Sequence, residues 1–258
     1  MKYIIHTSAK PSHYNKEAVN YDAFNEENSA ITNQTIENIL KQYNVKTILD
    51  LTCGTGSQVF WLTKRGYSVV GVDINTNMLK IAQNKAKREH LNIQFIKGDM
   101  RSVKVGEFDA VITIFNAIGH LTKADFQITI ENIYQNLKPG GFYLFDIFNL
   151  RYFLTDNNIT KLTIDWIKAE KEKKLREIQF STINEEGILA SYTTLIEEYE
   201  SSKPKISKSA QTLQIYTSKQ LQELLQQAGF KILSQCNMDG SPFIENKSAR
   251  LMTIAQKL

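Results

Sequence analysis

Apolar residues in this chain fall into short continuous runs separated by segments with helical spacing. Residues 46–51 (KTILDL), 67–74 (YSVVGVDI), 93–100 (IQFIKGDM), 109–115 (DAVITIF) and 141–148 (GFYLFDIF) read as strands apolar on both faces. Between them, 57–66 (SQVFWLTKRG), 75–90 (NTNMLKIAQNKAKREH) and 123–141 (KADFQITIENIYQNLKPGG) carry helical periodicity. Gly66 ends the first of these helices, Asn75 or Thr76 caps the second, and Pro139 with Gly140 stops the third. Upstream, 30–43 places Ile36, Ile39, Leu40 and Tyr43 on one helical face. Continuous apolar strands alternating with helices predict a mostly parallel sheet covered on both faces.

The period changes beyond Asn158. Alternation at Ile178 and Phe180, then at Ile188, Ala190, Tyr192, Thr194 and Ile196, predicts three or four antiparallel strands. Asn184–Gly187 supplies a hairpin turn between them. A helix over 217–230, with Thr217 as cap, and strands over 231–236 and 249–258 close the chain. The expected organisation is an N-terminal lid segment (1–30), a core (31–157 and 216–258) and an inserted antiparallel β subdomain (158–215). The insert either roofs an acceptor site or forms a homodimer contact through a sheet edge.

Composition narrows the classes. The chain has 258 residues and a net charge of +4. Its basic residues are scattered, and the densest run, 168–174, alternates with Glu. No clustered basic face for nucleic acid is indicated. Two cysteines, neither in a CxxC, suggest no zinc pattern, no metal and no disulfide framework. The N-terminus lacks an apolar signal core, and no apolar run is long enough to span a membrane. A cytoplasmic location is expected.

The informative stretch is 48–56, ILDLTCGTG. A buried strand ends in a carboxylate, Asp50, followed by Cys53-Gly54-Thr55-Gly56. The spacing begins as a GxGxxG dinucleotide fingerprint, but position 59 is Val. An acidic residue, Asp73, ends the next strand, 19 positions after Gly54. A carboxylate there can accept both vicinal hydroxyls of a ribose. Asp50 and the truncated glycine pattern point away from a pyrophosphate.

With these motifs in order, the sequence resembles the class I S-adenosylmethionine-dependent methyltransferases. LDLTCGTG (49–56), VVGVDIN (69–75), IKGDM (96–100) and NLKPGG (136–141) carry the resemblance, which covers roughly residues 14–150. It implies a Rossmann-like α/β fold of seven strands with helices on both faces, and the cofactor S-adenosylmethionine. It places Tyr21, Asp50, Cys53, Gly54, Gly56, Asp73, Ile74, Met78, Asp99, Met100, Phe115 and Asn116 at that cofactor. Gly54 and Gly56 admit its methionine part, and Asp73 holds its ribose. Asp99 and Met100 meet the adenine, with Ile74 and Met78 beside it. Phe115 offers a carbonyl to the ammonium. For Met78 and Met100, ordinary core packing is an equal reading.

FNAIGHL (115–121) and HYNKEAVNYD (13–22) are similar to the deoxyaminosugar N-methyltransferases. That likeness implies His120 beside an acceptor amine and Tyr14 as a clamp on the reacting groups. Of the other histidines, His6 and His90 read as surface residues. Asp146 and Asn149, ending the fifth strand, either bind polar groups of the acceptor or cap the strand. The implied activity is methyl transfer to a small molecule, most readily at an amine nitrogen. An RNA methyltransferase and a non-catalytic S-adenosylmethionine-binding domain are the alternatives.

Overall fold

The computed structural model describes residues 5–12, 21–155, 161–164, 173–199 and 202–258, with the backbone alone for 21–28, 161–164, 173, 175, 199 and 202. The core elements, in chain order, are α1 (Tyr21–Gln42), β1 (Thr47–Asp50), α2 (Ser57–Thr63), β2 (Ser68–Asp73), α3 (Thr76–Arg88), β3 (Gln94–Lys97) and β4 (Phe108–Thr113). A 3-10 turn (Ala117–His120), α4 (Lys123–Gln135), β5 (Leu137–Phe148) and α5 (Leu150–Leu154) follow. Then come β6 (Lys161–Ile164), β7 (Lys173–Ile183), β8 (Ile188–Tyr199) and β9 (Ser202–Gln214). The chain closes with α6 (Ser218–Gln227), β10 (Phe230–Cys236) and β11 (Arg250–Lys257).

Seven strands form one sheet in the order β10-β11-β5-β4-β1-β2-β3. β1 pairs in parallel with β2 and β4, while β11 runs antiparallel to β5 and β10. The mostly parallel seven-stranded sheet is therefore present as expected. Successive strand residues serve opposite faces. Leu49, Val111, Tyr143 and Phe145 pack into one buried cluster, and Ile48, Ala110, Ile112 and Leu144 into another. Each fully buried large side chain is worth roughly 1.5–3 kcal/mol relative to exposure, so both covered faces contribute. The chain leaves β1 towards β2 and β3, then returns to β4 on the other side of β1. That reversal opens a crevice beyond the carboxyl ends of β1 and β4.

The local signals held at two helix starts. Asn75 Oδ1 accepts the N–H groups of Asn77 (2.8 Å) and Met78 (3.1 Å), and Thr217 forms a capping box with Gln220. Two readings change. α4 ends at Gln135, before Pro139 and Gly140, because Asn136 terminates it. The Asn136 side chain bonds the Val103 carbonyl and the Val105 N–H, and Leu137 already pairs with Phe108. The 138–141 stretch is then an irregularity within β5. At the other end of the chain, α1 begins at Tyr21, inside the segment read as a lid.

The insert is a four-stranded antiparallel sheet, β6-β7-β8-β9. Gly187, at φ +84°, completes the Asn184–Gly187 turn. The insert rests on the core through Leu150, Leu189, Leu213 and Ile215. Its alternating face leaves Ile178, Phe180, Tyr192 and Ile206 exposed. Among the described residues, no helix is long and apolar enough to cross a membrane.

Candidate active site

The loop after β1 is folded by backbone bonds. Cys53 N–H donates to the Val72 carbonyl (2.8 Å), and Gly56 N–H to the Cys53 carbonyl (2.8 Å). Gly54 and Gly56 both take positive φ, +53° and +93°. Their roles differ. A Cβ on Gly54 would meet nothing within 4 Å, so its bare side faces open space. A Cβ on Gly56 would lie 2.7 Å from the Phe60 ring. Gly56 therefore serves the turn and the start of α2, and it lines neither this loop's cleft nor the groove beside it.

Asp73 ties the loop to β2. Its Oδ2 accepts Gly54 N–H (2.8 Å), and its Oδ1 accepts Asn75 N–H (2.8 Å). Burial raises its pKa, and those N–H groups pull it back. Each oxygen retains a lone pair for a hydroxyl donor. Asp50, beneath the loop, is buried. Its Oδ1 accepts Thr52 N–H (3.1 Å), while Oδ2 has no partner. Burial, with the charge of Asp73 adding, pushes the Asp50 carboxyl up to about 8. The Cys53 thiol is buried and held well above its ordinary value by that burial and by both carboxylates. It is an unreactive thiol.

Gly54 and Asp73 open onto a cleft that Asp50 and Cys53 do not line. Gly54, Asp73, Ile74, Met78, Asp99, Met100, Phe115 and His120 all line it, so eight of the expected residues converge. Cys53 lines a second, wider groove on the α1 side, and Ile114, Phe115 and Gly54 stand where the two meet. Asp99 is already engaged: Arg101 donates to it through Nε (3.0 Å) and Nη2 (2.6 Å), and this holds its carboxyl below the usual range. Arg101 also reaches Asp125 (2.9 Å).

A strap of residues 5–12 crosses the cleft mouth. Ala9 N–H donates to the His120 carbonyl (2.9 Å), and the Pro11 carbonyl accepts from Asn75 Nδ2 (2.9 Å). Ser8 Oγ bonds Asp125 and accepts Thr122 N–H (2.9 Å). His6, expected at the surface, is buried. Its Nε2 bonds the Leu121 carbonyl (2.9 Å) and its Nδ1 the Thr212 hydroxyl (2.8 Å) of β9. His6 thus joins strap, acceptor-side loop and inserted sheet. Lys10, Pro11, Arg101 and Asn75 line the cleft without having been anticipated. Arg101 had one signal, its place two residues after Asp99; the strap falls within the 1–30 segment expected to form a lid.

On the far wall, Asn116 does not face the cleft. Its Oδ1 accepts Phe148 N–H (2.9 Å), which turns the amide inward. For Asp146 and Asn149 the structure shows the capping alternative. Both are wholly buried. Asp146 bonds the N–H groups of Phe115 and Asn116 and pairs with Arg250. Asn149 caps α5 and donates to the carbonyls of Glu245 (2.6 Å) and Ser248 (2.9 Å). Neither lines the cleft. Tyr14 lies outside the described residues, and of Tyr21 only the backbone, at the start of α1, is described.

The sheet order, with a glycine loop after β1 and a carboxylate at the end of β2, is that of a Rossmann-like methyltransferase fold. Residues 48–141 match the family described as a methyltransferase domain. Glycine N-methyltransferase of Rattus norvegicus is 30% identical over 132 residues, 45% of this chain and 45% of that protein. The chain spans about half the length, or less, of the curated relatives it matches. Among solved structures, an S-adenosylmethionine-dependent methyltransferase from Clostridium acetobutylicum ATCC 824 superposes with a TM-score of 0.77 at 18% identity, covering 95% of this chain and 98% of that one. The amino pentose methyltransferase CalS10 from Micromonospora echinaspora, solved with S-adenosylmethionine bound, gives 0.70 at 15% identity, over 99% and 100%. At these identities the likeness is one of fold.

Proposed function

We propose that this chain transfers a methyl group from S-adenosylmethionine to an amine nitrogen of a small molecule. The observation that carries the reading is the convergence of Asp73, the bare side of Gly54 and His120 on one cleft. The cofactor's requirements fit this chain's own residues. Asp73 holds the ribose hydroxyls, Ile74 and Met78 pack on the adenine, and Asp99 stays ionised beside it. The open side of Gly54 admits the sulfur-bearing chain. The unpartnered Asp50 Oδ2 supplies negative charge beneath the loop once cofactor binding displaces the proton that burial holds there. When bound there, the cofactor supplies an electrophilic methyl group on a sulfonium.

An alkylammonium has no lone pair, so an amine acceptor must lose its proton before attack. His120, on the turn beyond β4, faces the cleft and takes that proton directly or through one water. Holding donor methyl and nitrogen at attack distance is the rest of the task. The partial likeness to glycine N-methyltransferase supports a nitrogen acceptor.

Calorimetry should find binding of S-adenosylhomocysteine and none of NAD. Asp73→Ala should weaken that binding by ~1.5–3 kcal/mol, roughly 10- to 150-fold, the worth of bonds to a charged group. Unchanged affinity in the variant would remove the ribose assignment.

Asp50 gives the binding a pH dependence. Its folded value, about 8, lies above the ordinary 3.8. Its contribution to the stability of the ligand-free protein is therefore full below pH ~4 and is lost as pH rises towards 8. A cation bound near Oδ2 favours the carboxylate. Binding should then release a proton and tighten by up to about tenfold per pH unit between pH 6 and 8. Titrations in two buffers of different ionisation heat count that proton. Equal release by the parent and by Asp50→Asn would assign the proton elsewhere.

A further inference from the structure

Phe115 and Asn116 are adjacent, neither is glycine, and both sit in the left-handed region at φ +64° and +60°. Each carries a steric penalty that glycine would not. Something must hold this turn. Asp146, wholly buried at the end of β5, does so with both oxygens. Oδ1 accepts Phe115 N–H at 2.5 Å and Oδ2 accepts Asn116 N–H at 3.1 Å. Arg250, at the start of β11, pairs with Oδ2 and lays its guanidinium 5.2 Å from the centre of the Phe148 ring. From the other side, Phe148 N–H donates to Asn116 Oδ1. Gly119 leaves room for the Asn116 amide, since a Cβ there would lie 2.7 Å from Nδ2.

The consequence follows from peptide geometry. In a trans peptide unit the N–H and C=O point in opposite directions. The two units that aim their N–H groups at Asp146 are 114–115 and 115–116, and neither is cis. Their carbonyls, on Ile114 and Phe115, therefore point away from the buried carboxylate. Both residues stand at the junction of the two grooves. Among the described residues, neither carbonyl receives a hydrogen bond. Two adjacent carbonyls, fixed in direction and unsatisfied among the described residues, suit a ligand with several N–H donors. Fixing them beforehand avoids reorganisation when the ligand binds.

We propose that Asp146, charge-compensated by Arg250, is a positioning residue that holds the Phe115–Asn116 turn and aims the Ile114 and Phe115 carbonyls at the ammonium group of the cofactor's amino-acid moiety. The inference rests on the methyltransferase reading above. Asp146 touches neither cofactor nor acceptor; it acts through the turn.

The test compares ligands on the intact chain. S-Adenosylhomocysteine carries the ammonium and carboxylate, methylthioadenosine carries neither, and decarboxylated S-adenosylhomocysteine keeps the amine alone. Asp146→Asn preserves shape but replaces one accepting oxygen with an NH₂ group. It should lower affinity for both amine-bearing ligands by roughly 10- to 100-fold and leave methylthioadenosine within about threefold. Adding Asn116→Gly, which adopts the left-handed turn without penalty, should restore part of the lost preference. Arg250→Lys, which keeps the charge and loosens the clamp, should act in the same direction and serves if Asp146→Asn does not fold. An unchanged preference, or equal loss for all three ligands, would overturn the clamp. A parent protein that binds none of them would overturn the methyltransferase reading as well. Binding by the parent with no effect of either variant would sink the clamp alone.

Discussion

His120→Ala should bind S-adenosylhomocysteine nearly as well as the parent and lose ~10²–10⁴-fold in turnover, the usual worth of a general base. In free energy that is about 3–5 kcal/mol of the barrier. The two halves of the expectation have separate structural grounds. The groups assigned to the cofactor, Gly54, Asp73, Ile74 and Met78, follow β1 and β2, whereas His120 closes the turn after β4. The local backbone should survive the change. The strap contact at this position uses the His120 carbonyl, which alanine keeps, and Ile118 beside it is fully buried. A smaller loss, with the pH profile unmoved, would mean that the imidazole orients the nitrogen without taking its proton. The measurement follows labelled methyl into a panel of amines, amino sugars and short peptides, then compares the variant with the parent across pH 6 to 9. Parental turnover throughout would make His120 structural and remove the main support for an amine acceptor.

Arg250→Met should destabilise the protein by ~3–5 kcal/mol, because it leaves the buried Asp146 carboxylate without its cation. For a chain of this size that is a fall in melting temperature of roughly 6–20 °C. Asp146 is fully buried and Arg250 mostly so, so water cannot replace the lost partner. The deficit should depend on pH. Burial already raises the Asp146 carboxyl, and Arg250 is the charge that opposes this. Without it the carboxyl rises further. A raised acid contributes stability at low pH that is lost as pH climbs through its folded value. The gap between variant and parent should therefore be small near pH 5 and wide near pH 8. Scanning calorimetry at the two values checks it, and equal melting temperatures at pH 8 would show that the pair does not hold the β5–β11 seam.

The place of Asp73 in the cleft was legible in the sequence because its signal is local: an acidic residue ending a strand at a fixed distance from a glycine loop. Gly54 was legible for the same reason. Gly56 was read as part of the same signal, yet its missing side chain makes room for Phe60, four residues on, and the spacing alone cannot tell the two glycines apart. Asp146 and Asn149 show why two readings stayed open. Their position at the end of a strand on the ligand side was read correctly, but the identity of their partners decides whether they face a substrate. Those partners are remote: Arg250 is 104 residues from Asp146, and Ser248 is 99 from Asn149. The polar neighbours of His6 in the sequence suggested exposure, while the chain brings it to Leu121 and Thr212.

By itself the sequence determined the alternation of strands and helices, the caps at Asn75 and Thr217, the change of period in the insert and the chemistry of the loop after β1. Each of these is set by residues a few positions apart, through hydrophobic period, backbone freedom and side chain to backbone bonds. Only the tertiary structure decided which carboxylates stay open to a ligand and which are consumed within the chain. It also decided how residues 5–12 of the expected lid dock, through His6 and Ser8, and that Asp146 holds the Phe115–Asn116 turn. These outcomes depend on the register of β11 against β5 and on where the first residues of the chain dock. Both are fixed by burial and by hydrogen bonds between groups about a hundred residues apart, which no local pattern encodes.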